Sequence, residues 1–367
     1  QRQMCIRDRC GGGGGGGGYR VACGGQRGAL EVLEVRGGGV ATHALRRDGT
    51  DARADGPGHA VLALATLALG GGCEPLLLAA DASGAVRAID LRAPPSAADC
   101  WAVQLAAHDG LPCCLAAHAA RNPAWFVVGT SRGRCHLWDL RYAARTAAWS
   151  ASAGGPAACC ALLPIAAPRA SGAPTVLMGT AANEVIGFEL GGPEPSARIR
   201  LRARDAAAAA ARADEPSGPG GAATFCAEFP AIGAIDRCAE RHRVSALVAP
   251  PDGNFVLAAS TDGCVRMWDL HEPARSHVLL GPPAHGVVEF RQAAAAAAGA
   301  AGVRAALEID ELELEPPARR PAHQRAASER ASSASQHHAC VHDLVFTSVP
   351  HGMLLAAAAD GTIKVHA

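Results

Sequence analysis

The stretch GCVRMWDLHEPARSHVLLG, Gly263 to Gly281, sets a glycine five residues before a tryptophan and follows the Trp-Asp pair with a polar, proline-containing hinge. The interval recurs along the chain. GRCHLWDL places Gly133 before Trp138, GAVRAIDL places Gly84 before Ile89, GALEVLEV places Gly28 before Leu33, and GTIKVHA places Gly361 before His366. NEVIGFEL keeps the interval with Asn183 in the glycine's place and Phe188 in the aromatic's. Asn is the residue after glycine that best tolerates positive φ. The exchange therefore points to a tight turn between antiparallel strands that ends in a left-handed residue. After it, an alternating strand aims a large apolar residue into a core.

Short apolar runs precede these turns: RVACGG, PLLLAAD, AWFVVGTS, TVLMGTA, NFVLAAST and GMLLAAAAD. They are too short for helices and are bounded by turn signals, which predicts buried strands. Further upstream a second apolar strand follows a histidine at His59, His108, His242 and His338. A fourth, more polar strand such as RTAAWSAS or SARIRLRAR follows some units. Six such units of up to four strands predict an all-β chain. A histidine near the start and Trp-Asp at the end of the third strand resemble the WD40 repeat, which implies a β-propeller of four-stranded blades. In that family a histidine, a strand Ser or Thr, a turn Asp and the Trp hydrogen-bond in sequence and lock the blade. His242, Ser260, Asp262 and Trp268 match by type and rough position, and Trp138-Asp139 repeats the ending. A buried Trp N–H needs an acceptor, and a fully satisfied polar ring rigidifies beyond its separate bonds. The resemblance thus implies structural histidines, with Ile89, Phe188 and His366 as substitutes of sufficient volume.

A propeller accommodates 367 residues as one domain, expected over 19–367 with low-complexity inserts at about 205–223 and 284–336. Thirty-four basic side chains balance thirty-four acidic ones, which predicts no nucleic-acid surface. The fourteen cysteines form no paired CxxC modules. This predicts no zinc or other metal, no cofactor, thiols packing as small hydrophobes, and a reducing cytoplasmic setting. No apolar run is long enough to insert in a membrane, since AVLALATLALGGG is broken by glycine, and no secretory leader is read. RQMCIRDR, Arg2 to Arg9, resembles one reading frame of a sequencing adapter. Residues 1–18, with the glycine run Gly11 to Gly18, are therefore expected to be carry-over and disordered, with the true start upstream. No Lys-Ser/Thr follows that run, so it is not a phosphate loop. Both inserts are expected to be protruding, partly disordered loops. A short helix is expected around RQAAAAAAGAAGVRAALEIDELELE, with the acidic run Glu308 to Glu315 solvated or facing a basic surface. In SARIRLRAR, Arg198, Arg200, Arg202 and Arg204 form either a basic face or an edge protected by charge against pairing.

Details outside the generic repeat resemble the C-terminal propeller of the class III phosphatidylinositol 3-kinase regulatory subunits, the vacuolar-protein-sorting pseudokinases. Gly129-Thr130-Ser131, Trp138-Asp139, Arg141, Pro273, Arg275-Ser276 and Gly281 fall on that family's pattern, and Pro-x-Arg-Ser is its most specific part. His366 departs from it, standing where the family has Trp. The resemblance implies a seven-bladed ring incomplete at its N-terminus, preceded by a kinase-like domain and helical repeats. It implies a non-catalytic scaffold for endosomal and vacuolar sorting and autophagy, cytoplasmic and peripheral to those membranes. Its partners would be the lipid kinase catalytic subunit and Beclin-like coiled-coil subunits. The alternative is a generic WD40 adaptor, a ubiquitin-ligase substrate receptor or a trafficking scaffold. An enzyme is not expected, because the carboxylates sit in turns (Asp262, Asp360) or directly after the aromatic position (Asp90, Asp139, Asp269), and no nucleophile-base set can be placed.

Overall fold

The computed structural model describes residues 4–10, 18–36, 39–46, 59–67, 76–93, 99–118, 125–150, 158–165, 174–192, 194–203, 242–250, 253–281, 288–292, 307–313, 340–347 and 353–366. The chain forms two compact units, Gln1–Pro164 and Ile165–Ala367. In the first unit, β1 (Met4–Cys10), β2 (Gly18–Gly24), β3 (Leu30–Arg36) and β4 (Gly39–Arg46) make blade 1. Blade 2 contains β5 (Val61–Leu67), β6 (Leu76–Asp81), β7 (Ala85–Asp90) and β8 (Asp99–Gln104). Blade 3 contains β9 (Pro112–His118), β10 (Trp125–Thr130), β11 (Arg134–Asp139) and β12 (Ala144–Ser150). β13 (Cys159–Ile165) runs across the division and heads blade 4, with β14 (Thr175–Thr180), β15 (Glu184–Glu189) and β16 (Ser196–Arg202). Blade 5 is β17 (Val244–Val248), β18 (Phe255–Ser260), β19 (Val265–Asp269) and β20 (His277–Leu280).

Two further strands, β21 (Val288–Gln292) and β22 (Leu307–Glu313), join blade 4 beyond β16. The last blade has three described strands, β23 (Val341–Thr347), β24 (Met353–Ala358) and β25 (Ile363–His366). Within each blade strand order follows chain order, so each is an antiparallel meander of the propeller type. The fold is all-β, with six blades among the described residues.

One turn is used six times between the second and third strands. Gly28, Gly84, Gly133, Gly263 and Gly361 have φ between +71° and +86°, and Asn183 has φ +58°. In each, the N–H of that residue donates to the carbonyl three residues earlier, from Gly84 to Asp81 at 3.0 Å and from Gly263 to Ser260 at 3.1 Å, for example. A Cβ is strained at this φ, which is why glycine dominates and Asn is the single exception.

Burial follows the apolar runs. Phe126 is fully buried between Trp101 and Trp138, with ring centroids 5.5 and 6.0 Å away. Such a ring contributes about 2–3 kcal/mol on removal from water. At the position five residues after the turn, Ile89, Trp138, Phe188 and Trp268 are all buried. Blade 1 differs: Leu30 and Val32 are buried there, while Leu33 is half-buried. Glu31 is exposed and Leu33 only half-buried, so Leu30 and Val32 carry the core on this strand.

Gly129 shows how tightly the strands approach, since a Cβ there would lie 2.6 Å from Cys114 Sγ and 2.7 Å from Cys159 Cβ. Burial pushes the Cys114 thiol up; contact with Cys159, 3.8 Å between sulfurs, and burial do the same for Cys135. These thiols therefore stay neutral and pack as small apolar groups.

Two expectations differ from what the fold shows, and a third is narrowed to one of its alternatives. Met4–Cys10 is a strand, paired antiparallel with β2 from Met4↔Gly24 to Cys10↔Gly18, where residues 1–18 were expected to be disordered. Backbone pairing is blind to side chains, and an open edge on β2 accepts any extended segment of matching length. The insert at 284–336 contributes β21 and β22 instead of a helix among its described residues. The acidic run, expected to be solvated or to face a basic surface, is partly buried: Leu307, Ile309 and Glu311 face inward, with Ile309 and Glu311 fully buried. The alternation in LEIDE has the two-residue period of a strand, which its charge obscures. The insert at 205–223, Arg204 and His338 lie outside the described residues.

Candidate interaction site

The third residue after the turn is polar in most repeats: Glu31, Arg87, His136, Arg266 and Lys364, with Ile186 in blade 4. In blade 5 this residue, Arg266, is only 3 % exposed on β19. A buried guanidinium costs several kcal/mol unless paired. Arg266 Nη2 donates to Asp262 Oδ2 and Nε to Glu311 Oε2, each at 2.7 Å. Asp262 comes from the turn four residues back and Glu311 from β22. Burial works against the charge on Arg266, but the two carboxylates outweigh it and hold the group cationic.

Asp262 is held from several sides. Its Oδ1 accepts the Cys264 N–H at 2.9 Å, and its Oδ2 also accepts Asn183 Nδ2 from the blade 4 turn at 3.3 Å. Burial alone would raise its pKa; Arg266 and the Cys264 N–H overcome this and lower it. The Cys264 thiol beside them is pushed up to about 12 by burial.

β22 lies parallel to β16 in the register Ile199↔Leu307, Arg200↔Glu308, Leu201↔Ile309, Arg202↔Asp310. Leu201 and Ile309 are fully buried side by side. Arg202 Nη1 reaches Glu308 at 3.5 Å and Asp310 at 3.3 Å, while its Nε lies 3.4 Å from Glu184. Burial raises the Glu184 pKa against the pull of Arg200 and Arg202. The basic strand SARIRLR is thus met by the acidic strand LEIDELE of the same chain, so of the two readings of each strand the basic face and the acidic run facing it apply. A small cavity, with room for about one water molecule, lies beside this cluster and is lined by Asn183, Leu201, Val244, Ser260, Arg266 and Trp268, among others. Arg266 Nη1 is buried with no acceptor among the described residues. Residues of this kind offer room and donors for solvent, without a nucleophile and base in reach of each other.

The sequence-derived lock residues occupy the same neighbourhood. Ser260 is buried and its Oγ accepts the Asp262 N–H at 3.4 Å. Trp268 is 1 % exposed. His242 is exposed, and the partner that holds the Asp262 carboxylate most closely is Arg266. The hinge that follows is closed by Ser276, whose Oγ accepts the Asp269 N–H at 3.0 Å. Asp269 Oδ1 in turn accepts the N–H groups of His271 and Glu272, and Pro273–Arg275 forms one 3₁₀ turn. Arg275 is exposed and pairs with Glu272 at 2.6 Å. In blade 3, Arg141 grips Asp139 through Nη2 at 2.6 Å and Nε at 3.1 Å.

Blade 3 has its own polar centre, which the sequence reading missed. Asp109, from a 3₁₀ turn before β9, is fully buried and lies 2.8 Å from Arg134 and 3.6 Å from His136, at the position equivalent to Arg266. Desolvation lowers the His136 pKa, although Asp109 pulls the other way, so the imidazole is neutral at pH 7. Arg266, Glu311, Asp109 and His136 were all overlooked because the repeats were aligned on turn and tryptophan. Aligning the third residue after the turn, and reading LEIDE by parity, exposes the first, second and fourth of them; nothing local marks Asp109.

Residues 237–269 match the family model described as WD domain, G-beta repeat. No curated protein matches the chain. No helix among the described residues is long and apolar enough to cross a membrane, and no cluster of three or more His, Cys, Asp or Glu among them could hold a metal ion.

Proposed function

We propose that this chain is a protein-interaction scaffold of the class III phosphatidylinositol 3-kinase complex, acting in endosomal sorting and autophagy. The WD40 repeat at 237–269 and the propeller-type blades support the coarser half of this reading, an interaction platform and not a catalyst. One observation carries the finer half: the Pro273-x-Arg275-Ser276 element directly after Trp268-Asp269, which resembles that family. Its geometry gives the element a physical purpose. Ser276 caps the end of β19, the 3₁₀ turn fixes the path to β20, and Arg275 stays exposed on the loop, free to meet a partner's carboxylate as well as Glu272.

The test is purification of the endogenous protein's complexes from its source cells, followed by mass spectrometry and a lipid kinase assay. The expected result is a lipid kinase catalytic subunit with Beclin-like coiled-coil subunits, and 3-phosphorylated phosphatidylinositol as product. Recovery of a cullin-type ligase or a coat complex, without lipid kinase activity, selects the generic adaptor instead.

A further inference from the structure

The pairing of β16 with β22 differs from every other strand pairing described between and within the blades. Blade strands pair antiparallel with their chain neighbours, whereas β22 pairs parallel with a strand more than a hundred residues earlier, Leu307 opposite Ile199. β22 is therefore an added strand laid on an edge that the blade itself completes without it. The addition is selective by side chain. Leu307 and Ile309 fill apolar positions beside Ile199 and Leu201, Glu308 and Asp310 meet Arg202, and Glu311 reaches across to the buried Arg266 of blade 5. Main-chain pairing with alternate side chains read in pockets is the mode by which sheet edges take extended peptides.

We propose that the β16 edge, with Arg202 and Arg266, is a strand-addition groove for an acidic segment of apolar-acid-apolar-acid-acid pattern, and that Leu307–Glu313 is its tethered, exchangeable occupant. The partner is an extended acidic segment of another protein, and the inference deepens the interaction-platform reading, on which it rests. Three features define the ligand. It runs parallel to β16. It brings two apolar side chains two residues apart, each followed by an acid. It places a carboxylate where Glu311 stands, because Arg266 is too deeply buried to be left with Asp262 alone. The tether gives the resident segment an effective concentration on the order of millimolar, so a rival gains the groove only when that segment is withdrawn or outcompeted.

The test uses the whole chain and a labelled synthetic peptide of sequence ALEIDELEL, residues 306–314. The double substitution Ile309→Lys and Glu311→Lys ejects the resident strand. By fluorescence anisotropy the peptide is expected to bind this variant at least tenfold more tightly than the wild type, and to raise the variant's Tm but not that of the wild type. A peptide with Lys at 308, 310 and 311, three of its four acidic positions, is expected not to bind, and a third substitution Arg202→Glu in the chain is expected to abolish binding of the original peptide. A variant that melts cooperatively yet binds neither peptide, or both equally, overturns the proposal. Should the variant lose its cooperative transition, the acidic peptide restores it on this account, and a transition that stays absent overturns it. None of these outcomes bears on which proteins co-purify, so failure here and failure of the lipid-kinase assignment are distinguishable.

Discussion

Blades 3 and 5 share a turn, a Trp-Asp ending and a buried carboxylate beside the third residue after the turn, but they neutralise that carboxylate differently. In blade 5 a fixed guanidinium, Arg266, is enclosed by Asp262 and Glu311, with Asn183 and a backbone N–H completing the ring. In blade 3 the carboxylate of Asp109 leans on Arg134, which is 47 % exposed, and the inward position holds a neutral His136. A permanent buried cation demands a second carboxylate, and the chain supplies it from an insert. A neutral imidazole makes no such demand, and among the described residues no insert strand is joined to blade 3. The polar content of a blade core thus decides whether the blade needs help from outside its own four strands.

The largest expected effect breaks this comparison if it fails. Arg266→Met leaves two carboxylates buried without their cation and should cost about 3–5 kcal/mol. His136→Leu, which leaves Asp109 its bond to Arg134, should stay within about 1 kcal/mol of wild type. Chemical denaturation of both variants measures this, and similar costs at the two positions would show that the blades are not organised differently. Next in size is Glu311→Gln, which keeps shape and a hydrogen bond but removes the charge, at about 2 kcal/mol. In the Arg266→Met background its effect should reverse to a stabilisation, because Glu311→Gln then removes one of the two uncompensated buried charges.

Acidification sharpens the contrast. The folded-state pKa of His136 is depressed, so its contribution is fully present above 6.5 and is lost as pH falls through the lower folded value. Asp262 is also depressed, from 3.8, so blade 5 keeps its contribution until pH falls below that value and towards its folded pKa. Stability measured from pH 8 to 3 should therefore decline in two stages, with the first absent in His136→Leu. A single decline below pH 4 in both proteins would contradict the assignment to blade 3. The smallest effect concerns the shared turn. Gly263→Ala at φ +81° should cost about 1 kcal/mol, whereas Asn183→Gly, already left-handed at φ +58°, should change stability by only a few tenths, set by loss of its bond to Asp262.

These residues also show what a sequence discloses. The turn was legible because only glycine and asparagine suit its φ, and the strands on either side of it, such as β6 and β7 or β18 and β19, were legible because apolar runs between such turns leave little choice, whereas β8, β13 and β20 carried no such signal. Burial of Trp268 followed from its repeat position. Glu311 was not legible in the same way. A glutamate inside an acidic run is solvated unless a cation lies opposite, and that cation, Arg266, sits forty-five residues away in sequence on a strand of another blade. Asp109 escaped notice for a related reason, as its burial depends on arginines from β11 and β12. Met4–Cys10 pairs through its backbone, which carries no side-chain signature.

The central claim is that Leu307–Glu313 belongs to the folded sheet of blade 4 and supplies the charge that blade 5 needs. Hydrogen exchange of the whole chain, followed by mass spectrometry of peptides covering 196–202 and 307–313, tests it directly. The account predicts slow exchange in both segments, and faster exchange at 307–313 in Arg266→Met while 196–202 stays slow. Exchange of 307–313 in the wild-type chain at the rate of a free peptide would contradict it.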